Sequence, residues 1–76
     1  MRAEDLLEIL RTKPFAPFRI YISDGAAYTI RHPDMAIVER SKVIIAVPGR
    51  RPEGPAERTV QCSLMHITRT EPVTRN

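Results

Sequence analysis

A tyrosine flanked by two arginines is the part of this sequence best suited to binding chemistry. In the stretch "FRIYISDGAAYTIR", Arg19, Tyr21 and Arg31 alternate with apolar residues. Because side chains alternate between the two faces of a strand, all three are predicted to share an outer face. Nucleobases stack on aromatic rings, and arginine neutralises phosphate, so the pattern predicts a nucleic-acid contact. The alternative is a solvated outer face that carries one amphipathic tyrosine.

A second pair of arginines falls in the predicted loop 48–57, "PGRRPEGPAE". Arg50 and Arg51 lie at its tip, where they are candidates to contact a nucleic-acid backbone or an acidic partner. Glu53 and Glu57 lie close by in sequence and weaken the positive potential. The alternative interpretation is therefore an ordinary solvated hairpin loop.

No catalytic residue, metal site or cofactor is predicted. Residues of metal-ligating type occur, but without the closely spaced pairs typical of zinc sites: His32, Asp34, Cys62 and His66. The candidate hydroxyl nucleophiles lack the strand–serine–helix context of a nucleophile elbow: Ser23, Ser41 and Ser63. A glycine-rich phosphate loop is also missing from the sequence. The sequence favours a protein that is not an enzyme and has no small-molecule substrate.

Charge and cysteine content add weaker constraints. Twelve basic residues, ten of them arginine, oppose nine acidic ones, which gives a net charge of +3 and favours an anionic partner. The single Cys62 excludes an internal disulfide and fits a reducing compartment. The N-terminal stretch is too acidic for a secretory signal, and no apolar run is long enough to cross a bilayer. We expect a cytoplasmic protein.

The 76 residues are predicted to form one domain, 1–76, that begins with a helix over 2–11. Leu6, Leu7 and Leu10 follow helical spacing, and Pro14 ends the helix because proline has no amide hydrogen to donate. A stripe of this kind normally faces the core of its own protein. The helix is therefore expected to cover the apolar interior.

Alternating apolar residues predict five strands, at about 18–23, 27–31, 35–40, 43–47 and 58–70. Asp24-Gly25 predicts a type I′ hairpin turn between the first two. Pro33 predicts a bulge, bend or edge, since it cannot donate to a sheet. Segment 43–47 is apolar throughout and predicted to be buried on both sides, by the core on one side and by the helix or a neighbouring subunit on the other. Ile67 departs from the phase of the last strand, which predicts a bulge or short turn near Met65-His66.

Five short strands must curl to cover one core. The predicted fold is a small five-stranded antiparallel barrel, Sm-like or SH3-like, capped by the helix. A chain of this size buries a modest share of its surface, so a homo-oligomer is expected.

Several of these residues resemble the Sm-like fold, especially the Hfq family of bacterial RNA-binding proteins. Leu10-Arg11 leads to "IYISDG", which matches the first Sm motif, and "HITRTEP" resembles the closing strand of Hfq. The resemblance implies RNA binding, with Tyr21 as a base-stacking ring. It also implies ring assembly by strand pairing, for which 43–47 and the last strand are the expected edges. Ile30 stands where the Sm motif has glycine, and Asp34-Met35 only echoes the RNA pocket.

A more specific pattern, "KPFAPFRI" followed by "DG" and "HPD", is similar to a group of short, uncharacterised bacterial proteins. This likeness covers most of the chain and implies no particular activity. Two functions therefore stay open. One is a non-catalytic module that binds nucleic acid, with RNA favoured over DNA. The other is a protein-interaction or assembly module that binds no nucleic acid.

Overall fold

A computed structural model describes residues 1–51 and 53–73. These residues form one helix and six strands. The elements are α1 (Ala3–Arg11), β1 (Phe18–Ile22), β2 (Ala27–Ile30), β3 (Ala36–Val38), β4 (Lys42–Pro48), β5 (Ala56–Ser63) and β6 (Ile67–Pro72). Two 3₁₀ turns, Pro33–Met35 and Leu64–His66, separate β2 from β3 and β5 from β6. The chain is mainly β with an N-terminal helix, as the sequence predicts.

Helix α1 is amphipathic and short. Leu6 and Leu10, one turn apart, are both buried, which places one face of the helix against the core. Acidic residues occupy the first turn and Arg11 the last, an arrangement that the helix dipole favours. At the C-terminal end, the Thr12 hydroxyl donates to the Glu8 carbonyl over 2.8 Å. The helix ends at Arg11, with Thr12 in extended backbone, as the sequence predicts.

The first sheet is antiparallel and has the strand order β2-β1-β6. Strand β1 lies at its centre, with Ile20 opposite Tyr28 on one side and Thr70 on the other. The register between β1 and β6 shifts by one residue, so that Thr68 is the extra residue of a bulge. The Thr68 hydroxyl donates to the Tyr21 carbonyl over 3.2 Å. Strand β6 thus returns the C-terminal part of the chain to the first hairpin.

The β1–β2 turn is a hairpin turn, but the predicted type I′ is wrong. Type I′ needs positive φ at two positions. Among the described residues only Gly25, at φ 95°, has it. The Gly25 N–H donates to the Ile22 carbonyl over 3.0 Å, and the Ala26 N–H donates to the Asp24 carboxylate over 2.9 Å. The loop is therefore three residues long with glycine in the left-handed position, and the Asp24 side chain accepts a backbone hydrogen bond within it.

The second sheet is also antiparallel and has the order β3-β4-β5. Its central strand β4 contains the segment 43–47 that was predicted to be buried on both sides and to form an interface edge. Within a single chain only one side of this segment is buried, and the prediction of an interface edge is wrong. Val43 and Ile45 are buried, whereas Ile44 and Ala46 are only partly covered. Strand β4 also has a partner on each side, so it presents no free edge.

The two sheets do not close into a barrel, and the prediction of a five-stranded Sm-like or SH3-like barrel is wrong. Each sheet has three strands, and in the described part of the chain no ladder joins them. The chain passes between the sheets at the two 3₁₀ turns. Pro33 cannot donate to a ladder, so β2 does not continue into β3. At Leu64–His66 the predicted strand 58–70 is split, and its two halves join different sheets.

The core lies between the sheets and beneath α1. Its buried residues come from the helix, both sheets and the second 3₁₀ turn: Leu6, Leu10, Phe18, Ile20, Ile30, Ala36, Val43, Ile45, Leu64 and Ile67. In the described residues it contains no buried polar or charged side chain. Removal of apolar surface from water is therefore what holds the two sheets together.

Candidate functional site

The exposed side of the first sheet carries two of the five predicted binding residues, Arg19 and Tyr21. Arg19 on β1 lies opposite Thr29 on β2 and Glu71 on β6. Tyr21 lies opposite Arg69 on β6. We call these five residues the outer face. Directly opposed residues of neighbouring strands project to the same side of the sheet and contact one another.

Tyr21, Arg69 and Glu71 form a connected cluster on the outer face. The guanidinium carbon of Arg69 lies 3.8 Å from the centroid of the Tyr21 ring, within the range of a cation–π contact. The Arg69 Nε donates to Glu71 Oε2 over 2.8 Å, a short charge-assisted hydrogen bond. The Tyr21 hydroxyl reaches Glu71 Oε1 over 3.4 Å. The carboxylate therefore ties the guanidinium and the phenol into one arrangement.

Arg69 and Glu71 each stabilise the charged form of the other. The hydrogen bond from Arg69 lowers the pKa of Glu71 below its ordinary value, and the positive charges of Arg69 and Arg19 act in the same direction. The same hydrogen bond raises the pKa of Arg69. Glu71 is therefore a carboxylate, and Arg69 a cation, throughout the neutral pH range.

The structure brings two of the predicted arginines to different positions. Arg19 lies within the outer face, where its Nε donates to the Thr29 hydroxyl over 3.2 Å. Arg31 follows the last residue of β2 and is exposed beyond the end of the β1–β2 ladder. It therefore adds positive charge near the outer face without belonging to its rows of opposed residues.

Arg50 and Arg51 are exposed in the loop between β4 and β5. This loop belongs to the second sheet, whereas the outer face belongs to the first. The predicted site residues thus divide into two groups on different sheets. The loop pair stays a prediction, since neither arginine takes part in the contacts of the outer face.

Sequence reasoning missed Arg69 and Glu71. Their alternation in "ITRTEP" already indicates a shared strand face. What it does not reveal is that this face adjoins Tyr21, because that depends on the β1–β6 register and on the bulge at Thr68. The bulge moves Arg69 opposite Tyr21 and so creates the cation–π contact.

A second group of polar side chains lines a cleft of about 600 Å³ between the β1–β2 turn and β5. The Ser23 hydroxyl and His66 Nδ1 are 3.3 Å apart there. Partial burial, with a smaller contribution from Asp24, raises the pKa of the Cys62 thiol, which keeps it in the less nucleophilic protonated form. In residues 1–51 and 53–73, no group of three or more His, Cys, Asp or Glu side chains is arranged to hold a metal ion.

The only helix in the described ranges, α1, is far too short to span a bilayer. Comparison with known proteins gives no further guide, since no protein-family model, curated protein or solved structure matches this chain. The geometry of the outer face is consequently the main basis for a functional interpretation.

Proposed function

We propose that this protein is a non-catalytic binding module whose outer face contacts single-stranded nucleic acid, RNA in the first instance. The observation that carries the proposal is the cluster of Arg19, Tyr21 and Arg69 on one exposed sheet face. Arginine side chains supply charge for the phosphate backbone, and aromatic or guanidinium planes supply surfaces for unpaired bases. The proposal rests on these side chains and not on a barrel fold.

The balance of charge supports the same conclusion. The outer face carries Arg19 and Arg69 against one acid, Glu71, and the exposed Arg31 lies just beyond the end of β2. The whole chain has a net charge of +3. A locally positive sheet surface attracts a polyanion and raises its rate of encounter.

The size of the face sets the expected strength of binding. One stacked base contributes about 1–3 kcal/mol, and contacts with about two or three phosphates of a single strand give a salt slope of about −1.4 to −2.1. Binding to one copy is therefore expected to be weak, in the micromolar range or above, and to fall moderately with salt. An oligomer would strengthen it by presenting several faces to the same strand.

The double variant Arg19→Glu/Tyr21→Ala tests the proposal directly. We expect it to abolish binding of a fluorescent single-stranded RNA of mixed sequence, measured by anisotropy at low salt. The matched control is Arg40→Glu, which makes the same charge change at an exposed position beyond the end of β3 in the second sheet. The control should retain most of the affinity.

Two results would contradict this proposal. Equal losses in the double variant and in Arg40→Glu would show that only net charge matters. Failure of the unaltered protein to retain RNA even at low salt would remove nucleic acid as the partner.

A second candidate function, assembly by strand pairing without nucleic acid, is favoured by the open sheet edges. Strands β5 and β6 each have a partner on one side only, and β5 is exposed along most of its eight residues. Unpaired edges of this kind readily pair with another chain. We therefore propose, as the second candidate, a homo-oligomer joined through β5 and β6.

Light scattering across a range of protein concentrations tests this second candidate. A dimer or larger mass is expected if the edges pair, because edge-to-edge pairing satisfies backbone groups and adds core to a small domain. A mass of one chain at every concentration would contradict it. An oligomer that ignores RNA at low salt would favour assembly over the first proposal.

A further inference from the structure

We infer that a nucleobase stacks on the guanidinium of Arg69 and not on the ring of Tyr21. The negative charge of Glu71 then makes the site disfavour anions that have no nucleobase available for stacking. The inference rests on the proposed function and deepens it. It defines the ligand as an unstacked base of a single strand, in preference to a bare polyanion or an intact duplex.

One face of the Tyr21 ring is already occupied. Arg69 lies over the ring at 3.8 Å, and the tyrosine as a whole is half-buried. A base cannot take the same position without displacing the guanidinium. The guanidinium is itself planar and weakly hydrated, and bases stack on such planes as they do on aromatic rings. The ring then serves as the support beneath Arg69.

Arg69 is held in place before any ligand binds. Its Nε is bound to Glu71, and the same carboxylate contacts the Tyr21 hydroxyl. Fixing a long side chain in advance reduces the entropy lost on binding. The Arg69 side chain is nevertheless 56% exposed. More than half of the side chain is therefore accessible to an incoming base.

A negative charge, that of Glu71, lies beside the Arg69 guanidinium, which we call the platform. The Glu71 side chain is 51% exposed, is bound to Arg69 and lies opposite Arg19, so that its negative charge acts on both arginines of the outer face. A free phosphate that approaches either guanidinium meets this negative charge. A nucleotide whose base stacks on Arg69 gains an interaction that does not depend on charge and offsets the repulsion. In a duplex the bases are stacked on each other and are not offered to the platform.

The substitution Arg69→Lys tests the platform, because lysine keeps the charge and lacks the plane. We expect the affinity for single-stranded RNA to fall about tenfold, in keeping with the loss of one stacking contact. The matched control Arg58→Lys makes the same change on the exposed strand β5 of the second sheet, and its affinity should be unchanged. Both variants are to be compared with the unaltered protein by anisotropy, after thermal unfolding has confirmed that they fold.

The substitution Glu71→Gln tests the selectivity. We expect inorganic polyphosphate and an RNA duplex to compete several-fold better against the fluorescent single strand, because the repelling charge is gone. The unaltered protein should prefer the single strand over both competitors. Unchanged competition in Glu71→Gln would overturn the role assigned to this carboxylate.

Failure of this inference is distinguishable from failure of the proposed function. If the unaltered protein binds RNA and Arg69→Lys binds it equally well, the platform is overturned while the RNA-binding function stands. If the unaltered protein binds no RNA at low salt, both are overturned. Should Arg69→Lys not fold, Tyr21→Leu removes the supporting ring and alters no formal charge, and undiminished RNA affinity in that variant would equally overturn the platform.

Discussion

Replacing Ile20 with alanine is expected to lower the free energy of unfolding by about 2–5 kcal/mol. Ile20 is fully buried at the centre of β1, the middle strand of the first sheet. Truncation removes apolar contacts and leaves a cavity, because the strands on both sides hold the backbone in place. Single domains are stable by only about 5–15 kcal/mol, and small ones lie at the low end. The variant should therefore lose a large part of its stability and unfold at a clearly lower urea concentration.

Ile37→Ala is the matched control for Ile20→Ala. It makes the same chemical change on β3, where Ile37 is 60% exposed. The expected loss is within about 0.5 kcal/mol, as for most surface substitutions. Urea unfolding followed by circular dichroism measures both variants. Similar losses in the two would contradict the assignment of Ile20 to the core and of Ile37 to the surface.

Replacing Leu6 with alanine is the second change expected to have a large effect, again about 2–5 kcal/mol. Helix α1 has nine residues and is too short to be stable alone in water. Its persistence depends on docking Leu6, which is fully buried, and Leu10 against the sheets. Loss of the Leu6 side chain should both open a cavity and weaken the helix.

Leu7→Ala provides the control within the same helix. The change in helix propensity is identical in type, but Leu7 is only half-buried. Its cost should be clearly smaller than that of Leu6→Ala. Hydrogen exchange at the helix amides gives a second measurement, since protection should fall sharply in Leu6→Ala alone. Equal loss of protection in both variants would mean that the helix docks through another face.

Local sequence patterns predicted the helix and strands better than the way in which the strands assemble into sheets. The leucine spacing predicted the helix, and the phase slip of Ile67 predicted a break, which is the 3₁₀ turn Leu64–His66. Both are short-range properties of the chain. The prediction of a barrel is wrong because a closed barrel requires hydrogen-bonded ladders between strands that are distant in sequence. The segment predicted as one strand over 58–70 instead divides at this turn, and its two halves join different sheets. Alternation of apolar residues is the same whether two strands share a sheet or not.

The candidate site shows the same division between local and distant information. Period-two alternation was enough to put Arg19 and Tyr21 on one face, because both lie on β1. Arg69 and Glu71 could not be added from the pattern, since their place depends on a register between segments about fifty residues apart and on the bulge at Thr68. The charge beside Tyr21, and the acid whose charge acts on both arginines, are consequences of that pairing.

The pairing of β1 with β6 also governs when the surface comes into being during translation. Arg19 and Tyr21 leave the ribosome well before Arg69 and Glu71, since Tyr21 and Glu71 are separated by 50 positions. A nascent polypeptide that has not yet delivered β6 carries an aromatic ring without its guanidinium cover. A product cut off before Ile67 would lack Arg69 and Glu71, and with them the cluster around Tyr21.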